Sequence, residues 1–485
     1  MVKGKRSEEL KGKIGLEIHS YILTKEKLFC RCLASRERGL KPNTLVCPIC
    51  TGQPGAKPML PNEEAVKKAV QIGLMLGCEI NKKMKWQRKH YDWPDLPKGY
   101  QNTISGTYAS PVGVKGKFHN IGIWSMHLEE DPASWTPETG CIDYNRSGLP
   151  LVEIITAPDF ETSSQVVEWL KKLLHNLDYL KAIDSNAGIK VDINVNLENV
   201  TFSSPTIAKQ RAIAGMPGKT ARVEIKNVNS LENVGKAIDY ELKRQMSEGG
   251  TTKETRRFDE LKGKTMKMRS KEEAEDYRFI TEPDLREIII DDKFISAIEK
   301  EIPEAPEEKL SKMMKKFKID KKNAEILTKN IDIAEFFEKV AEKIDAKFAL
   351  PWVTIELLRL LNDNKTRLSA VDIKVEHFVE LLKNVKEGKI TALQGKQILK
   401  KFYPKSFSIS EMSAKGKIEG KITDKKELEK IASEVVKKNP KAVSDYKSGE
   451  QKAFEFLMGE IMKATNKRAD FKIARDVLER LLKKI

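Results

Sequence analysis

Alternation of apolar and polar residues predicts a series of β-strands in the first part of the chain. The clearest examples are Lys13–Leu23, Ile121–Leu128, Ile189–Leu197 and Ala221–Val228. Each has one apolar face, whereas the opposite faces carry carboxylates, amides and bases instead of the usual lysine, glutamate and threonine. These polar residues are Glu17, His19, Asp192, Asn194, Glu224 and Lys226. If the strands are neighbours in one sheet, we expect its polar surface to bind a metal ion and phosphate groups.

The stretch Ile121–Asp131 is unusual because an apolar strand ends in three consecutive carboxylates. Such groups repel one another unless a compensating charge lies nearby. Two interpretations remain open, a solvated strand end or a Mg²⁺ site with bound phosphates. By strict alternation, Glu130 shares the phase of Trp124 and Leu128, and Glu129 falls on the other face. Either the strand breaks near Leu128 or only one of the two glutamates reaches such a site.

Helical spacing appears at two places among the strands and dominates the second part of the chain. Asn62–Leu76 and Glu161–Leu180 have helical periodicity, and lysine- and glutamate-rich helical patterning begins near Lys293. A polar break at Lys405–Asp424 is followed by further helical spacing over Lys425–Ile485. We therefore predict an α+β protein. An antiparallel-sheet domain spans residues 1–293, an all-helical middle domain residues 294–405, and a small helical tail domain residues 406–485.

Length and charge restrict the class of protein. The chain has 485 residues, which is too long for one core, and a formal charge of +17. A protein this basic often binds a polyanion, although dispersed lysines also serve solubility. No apolar run is long enough for a transmembrane helix, and the basic N-terminus lacks the apolar segment of a secretory signal. We expect a cytoplasmic protein that does not enter membranes.

Four of the six cysteines fall in one short segment, residues 30–50. Cys30 and Cys32 form one close pair, and Cys47 and Cys50 form a second pair after a loop. Two such pairs predict a zinc knuckle, in which four thiolates complete a tetrahedral shell around a structural ion. The alternative is four reduced cysteines packed as small apolar residues.

The loop Lys85–Gln101 mixes aromatic side chains with basic residues and prolines. Its aromatic residues are Trp86, Tyr91, Trp93 and Tyr100. These rings could stack on a nucleobase, or they could simply anchor the loop.

Long motifs throughout the chain resemble those of a known family, the B subunit of the glutamine-dependent aminoacyl-tRNA amidotransferase. The motifs are Gly15–His19, the cysteine cluster with the turn Thr51–Gly55, Asp92–Gln101, His127–Asp131, Asp143–Ile154, Glu224–Ser230, Glu254–Asp259, Met268–Arg278, Asn439–Gly449 and Phe456–Thr465. The resemblance implies a catalytic domain, a helical middle domain and a tail domain that contacts tRNA. It covers nearly the whole chain.

The resemblance also implies an activity. ATP phosphorylates the side-chain carboxylate of misacylated Glu-tRNA(Gln) or Asp-tRNA(Asn), and ammonia then displaces the phosphate. The chain has no Ser-Ser-Lys amidase signature, so ammonia is expected from a partner amidase A subunit, with a small C subunit as a further partner. The implied cofactors are ATP, Mg²⁺ and structural Zn²⁺.

Combining the polar strand faces with the family motifs selects candidate site residues. Candidate catalytic residues are Glu17, His19, Glu130, Glu224, Lys226 and Arg256, of which Glu17, His19, Glu130 and Glu224 are also candidate Mg²⁺ ligands. Candidate nucleotide-binding residues are Asp192, Asn194, Lys98, Tyr100, Asn145, Arg146 and Arg257. Cys30, Cys32, Cys47 and Cys50 are the candidate zinc ligands.

Two departures from the family pattern bear on phosphate binding. The family usually continues after its acidic run with Ala-Gly-Lys, whereas this chain has Pro132–Trp135. Lys190 stands where the family has arginine, which keeps the charge but loses the bidentate fork. A different class of function also stays open, a non-catalytic zinc-containing subunit that binds tRNA, which would explain the cysteine pairs and the basic tail. That alternative leaves the acid-bearing strands unexplained.

Overall fold

The chain folds into two compact units in a computed structural model. The structure describes residues 11–37, 39–184, 187–201, 204–213, 215, 217–249, 252–270, 277–415 and 420–484. The first unit ends at Ala305 and the second begins at Pro306. The motif Met268–Arg278 is described only at its ends, because residues 271–276 lie outside the described residues.

A 12-stranded sheet dominates the first unit. The strands of this unit are β1 (Lys13–Tyr21), β2 (Glu79–Ile80), β3 (Lys83–Met84), β4 (Gln87–His90), β5 (Gln101–Thr103), β6 (Gly113–Phe118), β7 (Ile121–Glu130), β8 (Ser134–Thr136), β9 (Cys141–Asp143), β10 (Pro150–Thr156), β11 (Ile189–Asn196), β12 (Val223–Val228), β13 (Glu254–Asp259), β14 (Lys264–Ser270), β15 (Arg278–Thr281) and β16 (Ile288–Ile289). Of these, β3 with β16 and β8 with β9 form two separate two-stranded sheets. The main order is β14-β13-β12-β11-β1-β10-β7-β5-β4-β15, and β2 and β6 join beside β7. The pair β12–β13 is parallel, and the other pairs of this sheet are antiparallel.

Helices supply the other half of the core of the first unit. They are α1 (Glu63–Met75), α2 (Ser163–Tyr179), α3 (Pro205–Ile213), α4 (Leu231–Glu248) and α5 (Asp292–Glu301). The side chains of Asn62, Thr162 and Ser230 cap α1, α2 and α4 by accepting backbone N–H groups of the first turn. Apolar residues of α1, α2 and α4 share one buried cluster with the inward residues of the central strands. The opposite face of these strands is left to polar residues.

The predicted α+β class, with a largely antiparallel sheet and a helical C-terminal part, is confirmed. Alternation also assigned the faces of β1 correctly, because Ile14, Leu16 and Ile18 are almost completely buried and Glu17 and His19 point to the polar face. The predicted helix Asn62–Leu76 is α1 with Asn62 as its cap.

Trp124 contradicts the alternation in β7. The pattern placed it in phase with Leu128 and the core, yet 57% of its surface is exposed. The pairing with β10 runs from Ser125 opposite Ile155 directly to Ile123 opposite Thr156. Trp124 is therefore the extra residue of a β-bulge, and a bulge changes the direction of its side chain.

The second unit is helical. Its helices are α6 (Pro306–Phe317), α7 (Lys321–Thr328), α8 (Ile331–Ala341), α9 (Ala346–Pro351), α10 (Leu358–Asp363), α11 (Val375–Lys386), α12 (Ala392–Lys400), α13 (Ile409–Ala414), α14 (Lys425–Lys438), α15 (Pro440–Lys447), α16 (Gln451–Ala464) and α17 (Phe471–Lys484). A π-helical segment, Trp352–Leu357, joins α9 to α10, and Leu368–Ala370 forms a short 3₁₀ turn. No helix in the described ranges is long and apolar enough to cross a membrane.

Two apolar cores divide this second unit. The first extends from Met313 to Ile409, and the second from Ile422 to Leu482. Helix α13 lies inside the stretch that the sequence suggested as a polar break, and Ile409 packs in the first of these cores. On the N-terminal side, α5 packs on α1 through Ile298 and so belongs to the first unit. The first unit therefore ends after position 293, and the first helical core ends after position 405, the two positions where the composition changes.

Candidate active site

Neighbouring strands bring three carboxylates around one histidine. In the register of the sheet, His19 of β1 lies opposite Glu153 of β10. The Nε2 atom of His19 lies 3.5 Å from Glu153 Oε1, 3.6 Å from Glu17 Oε1 and 3.8 Å from Glu129 Oε1. The candidate ligand atoms of Glu17, His19 and Glu153 all lie within 4.8 Å of one another, which is close enough to hold one metal ion.

The register of β7 separates Glu129 from Glu130. The strand continues through both residues, so they point to opposite faces and only Glu129 joins the cluster around His19. Glu130 is buried elsewhere, where its carboxylate pairs with Lys98 and accepts the backbone N–H of Asn102 at 2.9 Å. The structure thus places Glu130, a candidate from the sequence, outside the acidic cluster.

The pKa values of the clustered groups differ strongly from their ordinary values, because the groups are buried and close to one another. Burial and the neighbouring Glu153 raise the pKa of Glu17 to about 8 and that of Glu129 to about 7. Burial would lower the pKa of His19, but its hydrogen bond to Glu153 and the surrounding carboxylates raise it to about 9. Burial likewise opposes ionisation of Glu153, yet His19 holds the pKa of this carboxyl well below its usual range. A bound cation would relieve the repulsion among these groups.

Lysines lie close to the acidic cluster in the same cavity. The cavity has a volume of about 640 Å³, and its lining includes Lys89, Lys190 and Lys226. Lys226 Nζ lies 3.6 Å from Asp192 Oδ2 and 3.5 Å from Glu224 Oε1. Burial lowers the pKa of Lys226, but the charges of Asp192 and Glu224 outweigh burial and raise it overall. Lys226 therefore stays cationic, and the cavity combines carboxylates, which could hold a metal ion, with cationic side chains.

A hydrogen-bonded group forms another part of the cavity wall. The Tyr21 hydroxyl donates to Asp131 Oδ2 at 2.6 Å, and Arg146 Nε lies 2.9 Å from the same oxygen. Arg146 also donates to the carbonyl oxygens of Pro132 and Ala133. The guanidinium of Arg36 lies 3.8 Å above the Tyr21 ring. These contacts fix Arg146, whose side chain lines the cavity.

The four clustered cysteines also converge. The sulfur atoms of Cys30, Cys32, Cys47 and Cys50 lie within 4.8 Å of one another, and none of these residues forms a disulfide. A hydrogen bond from the Cys30 thiol lowers the pKa of Cys50 to about 5. Four sulfur donors at this spacing suit a tetrahedral ion and could hold zinc.

Asn145 connects the cysteine loop to the cavity wall. Its side-chain oxygen accepts the backbone N–H groups of Thr44 and Leu45 at 2.9 and 2.8 Å, and its amide donates to Lys41 O at 2.7 Å. Ser147, two residues later, donates to Cys50 O at 2.7 Å. Arg146 lies between these two attachments. Asn145 is thus 7% exposed and fully engaged with the protein backbone.

Several other candidates lie away from the acidic cluster. The guanidinium of Arg88 and the Nζ atom of Lys98 lie 4.3 and 5.3 Å from the centre of the Tyr100 ring. Arg256 belongs to a buried network on the face covered by α4, where it donates to Thr265 Oγ1 at 3.0 Å and lies 3.5 Å from Glu241. Arg257 is exposed and pairs in register with Lys226, so it lies on the polar face.

Asn194 lines a second, smaller cavity that shares Glu17 with the first. Its neighbours there include Trp124 and Arg222. Asn194 and Trp124 therefore lie close to the acidic cluster but outside the larger cavity.

Sequence reasoning missed Glu153. The residue lies within the apolar strand β10, between Val152 and Ile154, and both neighbours are completely buried. An isolated carboxylate at a strand position between core residues was the available signal. Glu129 was considered, but only the register of β7 could select it over Glu130.

Comparisons with known proteins agree along the whole chain. The family described as the GatB/GatE catalytic domain matches residues 12–296, and the GatB domain matches residues 335–482. The B subunit of the aspartyl/glutamyl-tRNA(Asn/Gln) amidotransferase from Methanocaldococcus jannaschii is 41% identical over 99% of this chain and 100% of its own length.

Proteins of the same name from other organisms are similarly related. The protein from Methanococcus maripaludis is 39% identical over 99% of each chain. The protein from Clostridium beijerinckii is 38% identical over 97% of this chain and 99% of its own length. The chain therefore belongs to the GatB family, the B subunits of tRNA-dependent amidotransferases.

Proposed function

We propose that this chain carries the ATP-dependent half of a tRNA-dependent amidotransferase reaction. The substrate is the side-chain carboxylate of Glu-tRNA(Gln) or Asp-tRNA(Asn). An oxygen of that carboxylate attacks the γ-phosphorus of ATP and releases ADP. Ammonia then attacks the carbonyl carbon of the acyl phosphate, and the phosphate leaves as the amide forms.

The cluster of Glu17, His19, Glu129 and Glu153 beside Lys226 is the observation that carries this proposal. Phosphoryl transfer depends mainly on positioning and on neutralising charge. Glu17, His19, Glu129 and Glu153 would hold a Mg²⁺ ion, and its charge would offset that of the ATP phosphates. Lys226 and Lys190 would neutralise phosphate oxygens, and Arg146, held by Asp131, would orient the substrate.

The cysteine cluster is assigned a structural role in this proposal. Four thiolates leave no open position for a substrate, so a zinc ion held by Cys30, Cys32, Cys47 and Cys50 would shape the loop. That loop carries Arg36, whose side chain lines the cavity.

Two features of the chain indicate its partners, the lack of a Ser-Ser-Lys amidase signature and the excess of positive charge. Ammonia is supplied from glutamine by a partner amidase A subunit, within a complex that includes a small C subunit. Misacylated tRNA binds the lysine-rich helical unit through its phosphates.

Conversion of Glu129 to Gln tests the proposal, because glutamine keeps the size of the side chain and removes the charge. We expect Glu129→Gln and Glu153→Gln to lower ATP-dependent amidation by orders of magnitude in the reconstituted complex. Zinc content, tRNA binding and basal glutamine hydrolysis should be retained. The measurement is amide formed on misacylated tRNA. Glu161→Gln is the matched control, because Glu161 forms an exposed ion pair with Lys11.

The alternative of a non-catalytic tRNA-binding subunit predicts a different result. Wild-type rates of amidation for both Glu129→Gln and Glu153→Gln would favour that alternative and exclude the proposed site. Glu130→Gln separates the two neighbouring glutamates. Because Glu130 pairs with Lys98 in the interior, we expect it mainly to lower thermal stability.

A further inference from the structure

The second cavity lies on the polar face of the sheet, next to the acidic cluster. Its volume is about 210 Å³, and Glu17 lines both it and the larger cavity. Its lining also includes Trp124, Asn194 and Arg222. A ligand that contacts the acidic cluster can therefore extend into this cavity without leaving the sheet surface.

The bulge in β7 directs Trp124 into this cavity. Regular alternation would have placed the indole on the same face as Met126 and Leu128, both of which are completely buried. The unpaired position between Ile123 and Ser125 turns the side chain out of the core instead. Bulges are frequent beside active sites, where they change the direction of one side chain. An exposed indole at the wall of a cavity is a stacking surface for a flat ring.

Two polar side chains in the same cavity are available to a ligand. Among the described residues, none hydrogen-bonds to the side-chain amide of Asn194 or to the guanidinium of Arg222. Asn194 lies on β11 opposite Gly15 of β1, two positions along the strand from Asp192, which lies opposite Glu17. The NH₂ group of an asparagine can donate to N7 of adenine while its carbonyl oxygen accepts from the N6 amino group.

We propose that this second cavity binds the adenine ring of ATP, stacked on Trp124 and hydrogen-bonded to Asn194. The inference rests on the proposed ATP-dependent reaction and adds the base-binding part of that site. The phosphates then extend past Glu17 toward the acidic cluster and Lys226. ATP fits better than the terminal adenosine of tRNA, because the cavity joins the larger one at a residue assigned to the metal and phosphates.

Binding of a non-hydrolysable ATP analogue with Mg²⁺ to the intact complex, without tRNA, tests this inference by calorimetry. Base stacking on an aromatic side chain predicts that Trp124→Ala weakens binding by about 5-fold to about 160-fold. Trp124→Phe should recover part of the loss. Asn194→Ala should reduce the preference for the ATP analogue over the GTP analogue. Tyr108→Ala is the control, because Tyr108 is exposed and lines neither cavity.

The KM for misacylated tRNA separates the two sources of adenine. It should stay within two-fold of wild type, on the order of experimental scatter, in Trp124→Ala. A raised KM for tRNA with unchanged ATP affinity would overturn the inference in favour of the terminal adenosine. Wild-type ATP affinity in both Trp124→Ala and Asn194→Ala overturns it as well. If Glu129→Gln still abolishes amidation in that case, the proposed function stands and only the base site fails.

Discussion

Replacement of Asn145 by alanine tests whether the cysteine loop holds the wall of the cavity in place. The substitution removes three hydrogen bonds, from the backbone of Thr44 and Leu45 and to that of Lys41. Each such bond contributes about 0.5–1.5 kcal/mol net. Thr44 and Lys41 are exposed, so water replaces part of what is lost. We therefore expect local stability of the loop to fall by about 2 kcal/mol.

The expected effect is local opening instead of global unfolding, because the loop contributes little to the main apolar core. A loss of about 2 kcal/mol raises the open population about 30-fold. Hydrogen exchange measured by mass spectrometry should therefore accelerate by that factor in residues 41–50 and 143–148. Arg146 lies between the two attachments, so kcat/KM for amidation should fall while the sheet stays protected.

Two further variants make the result specific. Asn145→Asp keeps the acceptor for Thr44 and Leu45 but loses the donor to Lys41, so it should show a smaller change. Ser147→Ala removes the bond to Cys50 O and should accelerate exchange in the same segments. Unchanged exchange in Asn145→Ala, together with a raised KM for ATP, would refute the reasoning. Asn145 would then contact the nucleotide directly.

Three other predictions concern the metal, the arginines and the tail. Purified protein should contain about one zinc per chain, and Cys47→Ser should lose it and destabilise residues 30–50, whereas full stability without zinc would contradict this. Arg256→Met should lower the free energy of unfolding by about 1.5–3 kcal/mol, because it removes charged hydrogen bonds to Thr265 and Glu254, whereas Glu241 keeps its ion pair with Arg244. Arg257→Met should instead lower amidation and leave the melting temperature unchanged. The reverse result, in which Arg256→Met loses amidation and Arg257→Met loses stability, would place Arg256 at the substrate. Deletion of residues 420–485 should weaken tRNA binding and flatten its salt dependence, and equal salt slopes for both forms would exclude the tail as a phosphate-binding module.

Local patterns in the sequence determined the faces of single elements. A strand alternates its side chains whatever surrounds it, so Ile14, Leu16 and Ile18 identified the core face of β1 and left Glu17 and His19 on the other. Helix caps are local as well, which is why Asn62 marked the start of α1. The spacing of the cysteines indicated a cluster because short loops restrict where their sulfur atoms can lie.

Only the tertiary structure decided which of these faces meet and where the patterns are interrupted. Glu153 joins His19 because β10 lies beside β1, and strand order depends on contacts between residues that are distant in sequence. Alternation separated Glu129 from Glu130, but the direction of the polar face selected Glu129. Arg256 faces α4 because of the parallel register of β13, a pairing that no local pattern encodes. Trp124 was assigned to the core by its phase, and one unpaired residue in the ladder was enough to turn it into the cavity.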